Sequence, residues 1–340
     1  MLLKICKVLT VCIWAATTAT ALSVSADVQT SASRIVGHIV NCQFESALAL
    51  SDTVISRRTD EPVGYVMKLM AIGLRDLDYD MIMDSTLFEQ TYLSCMKILN
   101  SAQNKGRPGS YFFTMRGFAN ASYATYYLRQ EKYFKAMSTG LDAMKDLKKA
   151  KKIDPQNYDA DFFLGLYEYA KSELRKKLWM VLFWYPGDKM EGIRKLETAA
   201  EKGTIVADAA QMALIDIYTE EKRWDDAVET TNSLLERFPD SRFVLWSKAR
   251  YFESRKKFKK AADVYASLAK SYERHHRGGH NAIVTSMHRL DQFELIGDRA
   301  KTLQAARYIC NDLCTGNQKD HKLCKRARKI NEELSIETSN

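Results

Sequence analysis

The stretch from residue 208 to residue 275 carries one pattern twice, at an offset of 34 residues. The matching positions are Tyr218 with Phe252, Trp224 with Phe258, Ala227 with Ala261, and Leu234 with Leu268. Around them apolar residues recur every three or four positions, which is the spacing of one face of an α-helix. A pair of such helices cannot bury both of its apolar faces alone, so the repeat predicts helical hairpins that stack on their neighbours.

The same combination of a large and a small side chain marks other parts of the chain. An aromatic residue is followed three positions later by alanine at Phe44/Ala47, Tyr133/Ala136, Trp224/Ala227 and Phe258/Ala261. We expect each aromatic ring to fill the gap beside a hairpin turn, and each alanine to let two helix backbones come close. The pattern therefore indicates hairpins outside residues 208–275 as well.

Glycine and proline are scarce, with 15 Gly and 5 Pro among 340 residues. A many-stranded sandwich or barrel needs frequent tight turns, and such turns draw on these residue types. The hydrophobic share of 46% is too high for a disordered chain. Composition thus favours an all-α fold of long helices joined by short loops.

The 34-residue period, the large and small pattern, and the proline that ends the repeat, Pro239, resemble the tetratricopeptide repeat (TPR) family. The small residue at the family's eighth position is matched by Ala124, Gly165 and Ala249, whereas Ile215 departs from it. The resemblance implies a TPR-like solenoid of helical hairpins wound as a right-handed superhelix, with irregular N- and C-terminal helices. That irregularity is similar to exported bacterial members of the family that have no defined role.

This register predicts three helical regions and one boundary. The regions are N-terminal hairpins over 33–103, a central solenoid over 110–275 with an aromatic insertion at 171–188, and C-terminal helices over 280–337. The boundary is the Gly- and Pro-containing stretch 104–109. Helices are predicted over 33–42, 44–57, 63–79, 84–103, 110–129, 131–153, 157–171, 188–202, 205–220, 223–237, 241–255 and 258–274, with two or three more after residue 281.

Residues 1–26 have the pattern of a secretory signal peptide. Lys4 and Lys7 form the positive start, and residues 8–21 are uncharged and mostly apolar. Val24-Ser25-Ala26 then offers small residues at a cleavage site. A membrane anchor is the other interpretation, but the apolar stretch is short and diluted by threonines. We therefore expect cleavage after residue 26 and an exported, periplasmic chain, with no later segment long enough to span a membrane.

The formal net charge of +9 falls to +7 when residues 1–26, with their two lysines, are removed. Acidic and basic residues are mixed along the chain rather than gathered in blocks, which is typical of a solvated surface. We expect no nucleic-acid partner. A basic exported protein can still meet anionic lipid or acidic protein surfaces.

Sequence motifs of catalysis are absent from the chain. It has no P-loop, no glycine-rich dinucleotide-binding motif, no nucleophile-elbow serine and no HExxH zinc-protease motif. Scattered carboxylates such as Asp225 and Asp226 are typical of the first turn of a helix, where the helix dipole favours them. We predict a protein that is not an enzyme and that has no catalytic residues, cofactor or metal.

Five cysteines remain after residue 26, and three of them lie near the C-terminus. Cys310, Cys314, His321 and Cys324 have a spacing that could supply four zinc ligands. A second alternative is a disulfide from Cys310 or Cys314 to Cys324, which an oxidising compartment permits. Free buried thiols are the third. Our candidate disulfide is Cys314 with Cys324, joining the last two helices.

In TPR proteins the first helix of each hairpin lines a concave groove, and the resemblance implies the same here. The groove candidates are Phe118, Ala121, Thr125, Phe162, Tyr169, Met212, Asp216, Trp246 and Arg250. This set is largely apolar and lacks the lysines with which some family members clamp a peptide carboxylate. We therefore predict a scaffold that binds an apolar or amphipathic segment of a protein partner. The alternative is that these residues pack on other parts of the same chain.

The insertion offers a different surface. Arg175-Lys176-Lys177 precedes an apolar run that includes Trp179, Phe183, Trp184 and Tyr185. A cationic segment beside aromatic residues is typical of proteins that dock on an anionic membrane surface without spanning it. The alternative function is therefore a peripheral membrane or envelope-assembly factor acting through residues 175–186. The other interpretation of this run is that it folds back and fills the solenoid core.

Overall fold

The computed structural model describes residues 26–81, 85–104, 108–177, 188–275, 277–314 and 322–337. Every regular element among these residues is a helix, and none of the described helices is both long and apolar enough to cross a membrane. In chain order they are α1 (Ala26–Val40), α2 (Phe44–Arg57), α3 (Val63–Asp78), α4 (Ser85–Asn104), α5 (Ser110–Arg129), α6 (Tyr133–Ile153), α7 (Asp159–Lys177), α8 (Lys189–Lys202), α9 (Ala207–Glu220), α10 (Trp224–Arg237), α11 (Arg242–Ser254), α12 (Phe258–Glu273), α13 (Gly279–Leu295), α14 (Arg299–Tyr308), a π-helical turn (Ile309–Leu313) and α15 (Lys322–Glu337). The predicted all-α fold of helical hairpins is confirmed.

Most predicted helix bounds lie within two residues of the observed ones, and two differ more. α1 begins at Ala26 rather than at residue 33, because its buried face already includes Val28 and Ala32. α7 continues to Lys177 rather than ending at residue 171. Residues 173–177 are Glu, Leu, Arg and two Lys, all strong helix formers, which explains the longer helix.

One turn conformation recurs between successive helices. Its left-handed residues are Cys42 (φ 56°), Asp80 (48°), Glu131 (59°), Lys222 (59°), Lys256 (53°) and Gly297 (71°). In each turn the N–H of the next residue donates to the carbonyl oxygen five residues before it, at 2.8–3.0 Å. This is the Schellman arrangement, in which one left-handed residue satisfies carbonyl groups at a helix end. A repeated backbone geometry thus accompanies the repeated sequence pattern, although of these six only Gly297 is a glycine.

The small residues of the pattern lie where they were predicted. Ala47, Ala136, Ala227 and Ala261 are all buried. In each case the alanine N–H donates to the carbonyl oxygen of the residue that precedes the aromatic, at 2.9–3.1 Å. The alanine therefore sits in the first turn of the second helix, where a larger side chain would hold the two helices apart.

The prediction for the aromatic residues is wrong at one position. Phe44 is buried and Trp224 and Phe258 are half-buried, but Tyr133 is 64% exposed. The nearby Tyr127, at the end of the preceding helix, packs on Tyr123 of its own helix, with ring centroids 4.5 Å apart. That intrahelical contact explains why Tyr133 does not fill a gap at this turn.

Contacts divide the described residues into two compact units. Unit 1 comprises those of 26–34, 49–70 and 85–206, and unit 2 comprises those of 35–48, 71–84 and 207–337. Residues on both sides of the predicted boundary at 104–109 belong to unit 1. The units therefore do not follow the predicted division, since parts of α1, α2 and α3 contribute to each of them.

Unit 1 contains the hairpins α5–α6 and α7–α8, and α6 also packs on α7. A salt bridge of 2.8 Å from Lys151 to Asp161 joins α6 to α7. α7 and α8 cross at two glycines. A Cβ atom on Gly165 would lie 2.8 Å from the carbonyl oxygen of Gly192, and one on Gly192 would lie 2.7 Å from the Tyr169 nitrogen. The small residue that the resemblance implies at position 165 is thus where two backbones meet.

Unit 2 contains the hairpins α9–α10, α11–α12 and α13–α14. α9 packs on both α10 and α11, α12 packs on both α11 and α13, and α15 packs on α13 and α14. The last helices enclose an apolar cluster that includes Ile283, Met287, Leu290, Phe293, Ala306, Ile309 and Ala327. Successive hairpins therefore supply one another's core in this unit, as the repeat predicts.

Cys314 and Cys324 form a disulfide, with their Cα atoms 5.8 Å apart. Both are buried within the apolar cluster of the last helices. The candidate pair from the sequence is the pair observed. The bond removes two thiolates from the alternative zinc set, while Cys310 is a free thiol and His321 lies outside the described residues. Burial raises the pKa of Cys310.

We expect three free thiols, those of Cys42, Cys95 and Cys310, when the chain without residues 1–26 is unfolded in the absence of reductant. Reduction should add the two thiols of Cys314 and Cys324. In the folded protein Cys310 should react first with an alkylating reagent, because it is partly exposed, whereas Cys42 and Cys95 are buried and burial raises the pKa of both to about 12. Mass spectrometry after alkylation counts the thiols. Five free thiols without reductant would contradict the disulfide.

Candidate functional site

Unit 2 contains a cavity of about 370 Å³. Its walls come from the C-terminal end of α3 and from α9, α11, α12 and α13. The lining residues are Leu77, Asp78, Asp80, Met212, Ala213, Asp216, Phe243, Trp246, Ser247, Arg250, Tyr272 and Asn281. α9, α11 and α13 are the first helices of their hairpins, so the cavity lies on helices of the kind that the resemblance assigns to a groove.

Two pairs of lining residues stand one repeat apart. Met212 of α9 corresponds to Trp246 of α11, and Asp216 corresponds to Arg250. The Arg250 guanidinium donates to both carboxylate oxygens of Asp216, over 3.1 Å from Nε and 2.6 Å from Nη2. Because both side chains are well exposed, this ion pair adds little to stability. It holds two charged groups beside the apolar wall formed by Met212 and Trp246.

A second ion pair lies deep in the same unit. Asp78 lines the cavity and pairs with Arg242, and each side chain is only 1% exposed. Arg242 Nε lies 2.9 Å from Asp78 Oδ2 and 3.2 Å from Oδ1, and Arg242 Nη2 also donates to Oδ2. Arg242 is the first residue of α11 and Asp78 the last of α3. Buried charges of this kind are tolerated only when each has its partner.

Two tyrosines and one tryptophan extend this network. The ring centroids of Tyr79 and Tyr272 each lie 5.1 Å from the Arg242 guanidinium carbon, within cation–π distance. The Tyr272 hydroxyl donates to Asp78 Oδ1 at 3.0 Å and accepts a hydrogen bond of 3.1 Å from Trp246 Nε1. The half-buried indole of Trp246 is therefore held in orientation by hydrogen bonds that lead to the buried ion pair.

Burial and the ion pair set the protonation of this network. Burial, followed by the charge of Asp78, raises the pKa of Tyr272, so its hydroxyl stays protonated and can donate. Burial is the largest single effect on Arg242 and would lower its pKa, but the hydrogen bond to Asp78 and the neighbouring charges together outweigh it and keep the pKa above its ordinary value. Burial also raises the pKa of Cys42 in the same unit to about 12. Arg242 is thus charged, and Tyr272 and Cys42 are neutral, at physiological pH.

The end of α3 is fixed by α13. Asn281 Nδ2 donates to the Asp78 carbonyl oxygen at 2.8 Å, and the Thr285 hydroxyl donates to the Asn281 carbonyl oxygen at 2.7 Å. Asp80, in the left-handed turn after α3, keeps an exposed carboxylate with His280 Nε2 3.7 Å away. The end of α3 is therefore joined to α13 by a hydrogen bond, while Asp80 presents a carboxylate to solvent at the edge of the cavity.

The structure brings four of the predicted groove residues together. Met212, Asp216, Trp246 and Arg250 all line the unit 2 cavity. Their shared position follows from the 34-residue repeat, which places α9 and α11 in equivalent environments. That they bind a partner stays a prediction.

The groove candidates in unit 1 have a different environment. Phe118 is fully buried and packs edge to face on Phe163, with ring centroids 5.1 Å apart, so it belongs to the core rather than to a groove. Ala121, Phe162 and Tyr169 are buried as well. Only Thr125 of this set is exposed, and its hydroxyl donates to the Ala121 carbonyl oxygen at 3.1 Å. For Phe118 and Ala121 the reason is that α5 carries apolar residues on all sides, and such a helix is buried. Phe162 and Tyr169 lie on α7, which packs on both α6 and α8.

Sequence reasoning missed the residues that support the cavity. Leu77, Asp78 and Asp80 come from α3 and the turn after it, 164 residues before Arg242 in the case of Asp78. Nothing in the repeat links these positions. Arg242 could have been predicted from its spacing. It precedes Trp246 by four residues and Arg250 by eight, so it lies on the same helix face as these two groove candidates.

Two of the three carboxylates that line the cavity are held in ion pairs with arginine, and the third, that of Asp80, is exposed. Asp78 and Asp216 are each paired with an arginine, and Tyr272 is kept protonated by burial. Among the described residues there is no group of three His, Cys, Asp or Glu side chains that could hold a metal ion. Trp179, Phe183, Trp184 and Tyr185, the candidate membrane-contact residues, lie outside the described part of the chain.

No protein-family model matches the sequence, and no curated protein matches it. Among solved structures, the chain is similar to the C-terminal part of a TPR repeat-containing protein from Cytophaga hutchinsonii, with 15% sequence identity and a TM-score of 0.42, over 86% of this chain and 97% of that one. It is also similar to the TPR domain of P58(IPK), with 12% identity and a TM-score of 0.27, over 92% of this chain and 99% of the other. Both structures belong to the tetratricopeptide repeat family, which the sequence pattern resembles.

Proposed function

We propose that this chain is an exported, non-enzymatic scaffold that binds a segment of a partner protein in the unit 2 cavity. The observation that carries the proposal is the construction of the cavity wall. Met212 and Trp246 present half-buried apolar surface, and the indole is held by hydrogen bonds to a buried network. Side chains that are fixed before binding lose little conformational entropy when a partner docks, which favours affinity.

The size and lining of the cavity favour an amphipathic segment. A volume of about 370 Å³ is at the lower end of the range for ligand pockets, and it suits one or two large apolar side chains of a peptide. The Asp216–Arg250 pair and the exposed Asp80 carboxylate stand beside the apolar wall, where they can meet polar groups on the same segment. An amphipathic helix that inserts its apolar face meets both requirements.

Export is supported by two separate features. Residues 1–26 have the pattern of a cleaved signal peptide. The Cys314–Cys324 disulfide suits the oxidising conditions of the periplasm better than those of the cytoplasm. We therefore place the proposed interaction outside the cytoplasm.

Site-specific photo-crosslinking in the native envelope tests the proposed site. A photoreactive residue at Ala213, which lines the cavity, should give a discrete adduct with a partner. Combining it with Met212→Ala and Trp246→Ala should reduce the adduct about tenfold, because truncation of a buried aromatic anchor is among the costliest changes at an interface.

The matched position for this experiment is Asp225, which is exposed in the first turn of α10 and does not line the cavity. The same adduct from both positions, or equal adduct from the parent and the double variant, would reject the cavity as the site. Thermal unfolding of the double variant shows whether a loss of adduct reflects a loss of fold.

A further inference from the structure

The outward face of α6, in unit 1, carries a patch of exposed apolar side chains. Its members and their exposed fractions are Tyr133 (64%), Phe134 (86%), Met137 (61%) and Leu141 (50%). On a helix with 3.6 residues per turn these positions fall within an arc of about 100°. The buried residues Ala143 and Leu147 occupy another side of the helix. The four side chains therefore form one continuous surface patch, which monomeric proteins seldom leave without a use.

Positive charge surrounds this patch and continues along the helix. The exposed lysines are Lys132, Lys135, Lys145, Lys148, Lys149 and Lys152. Between residues 131 and 153 the exposed carboxylates are those of Glu131 and Asp142, whereas Asp146 is buried and paired with Arg116. Lys145, Lys148 and Lys152 follow the apolar residues on the same side of the helix, by the same angular arithmetic. The face is thus apolar in its first half and strongly cationic in its second.

We propose that this face of α6 docks on the surface of an anionic lipid bilayer. A helix that lies in a membrane interface needs apolar side chains that enter the headgroup region and lysines that reach lipid phosphates, and α6 presents both on one side. The face of a single helix is convex and has no pocket for a peptide, so it suits a flat surface better than a groove-filling segment. This proposal is separate from partner binding in the unit 2 cavity.

Vesicle flotation tests the proposal with the chain that lacks residues 1–26. It should float with phosphatidylcholine vesicles that contain phosphatidylglycerol and much less with phosphatidylcholine alone, and high salt should release it. Phe134→Ser with Met137→Ser should lower the bound fraction at least tenfold, because two large apolar side chains no longer enter the interface. Both residues are exposed, so the fold should be unchanged.

Matched controls distinguish this face from other exposed apolar residues. Leu93→Ser with Met190→Ser removes two apolar side chains that are each 66% exposed and lie on α4 and α8. This control should bind vesicles as the parent does. Equal loss in both double variants, or flotation lost only when Trp179, Phe183 and Trp184 are changed to Ser, would overturn the proposal. A change from dimer to monomer in the Phe134/Met137 variant, with vesicle binding unchanged, would instead assign the face to a second copy of the chain.

Discussion

Replacing Arg242 with Met should lower the free energy of unfolding by about 3–5 kcal/mol, because the substitution leaves the Asp78 carboxylate buried without its partner. Methionine keeps much of the side-chain volume, so the loss of charge dominates the effect. The measurement is urea denaturation followed by circular dichroism, which reports the midpoint and slope of unfolding.

Arg250→Met is the matched control, since it changes the same residue type on the same helix. Its partner Asp216 is exposed, so the cost should be only about 0–1 kcal/mol. Adding Asp78→Asn to Arg242→Met should recover part of the stability, because it removes the uncompensated charge. If Arg242→Met and Arg250→Met lowered the free energy of unfolding equally, burial would not make the loss of Arg242 costlier than the loss of an exposed partner.

Gly192→Ala should destabilise unit 1 by about 3 kcal/mol, at the upper end of the usual range for overpacking. The added methyl group would meet the Tyr169 nitrogen at 2.7 Å and the Gly165 carbonyl oxygen at 2.9 Å. These are backbone atoms, which cannot move aside as a flexible side chain can, so α7 and α8 must separate. Chemical denaturation of the variant and the parent measures the difference.

Gly73→Ala provides the control for helix propensity. Gly73 lies within α3, and a Cβ atom there would meet no atom within 4 Å. That change should stabilise the chain by about 0.5–1 kcal/mol, because alanine loses less backbone freedom on folding. An equal gain from Gly192→Ala would mean that α7 and α8 do not need glycine at their crossing.

Local periodicity explains why so much of the fold was predictable. The helices α9 to α12 and the buried Ala227 and Ala261 follow from a pattern that repeats along the chain and needs no knowledge of distant contacts. For the same reason the repeat correctly grouped Met212 with Trp246, and Asp216 with Arg250, on one cavity wall. The disulfide could also be predicted, because Cys314 and Cys324 are only 10 residues apart in the sequence.

Two kinds of feature were not predictable from the residues. The register that placed Phe118 in a groove assumes an amphipathic helix. The apolar residues of α5 are instead spread around the whole helix, so the sequence does not indicate which face is open. The ion pair of Asp78 with Arg242 joins residues with no repeat relationship to each other. The left-handed turns at Glu131, Lys222 and Lys256 could not be predicted, because glutamate and lysine seldom adopt a positive φ and so do not indicate this conformation.

The hydrogen bonds of Asp78 limit the order in which parts of unit 2 can fold while the chain is being synthesised. The side chain and carbonyl oxygen of Asp78 bond to Arg242, Tyr272 and Asn281, which follow it by 164, 194 and 203 residues. When the chain emerges N-terminus first, the Asp78 carboxylate has no charged partner until Arg242 of α11 has emerged. The end of α3 gains its hydrogen bond from Asn281 only when α13 has emerged. Unit 2 therefore completes its folding late, because contacts between residues far apart in the sequence form slowly. Until then its apolar surface is exposed and needs protection from aggregation.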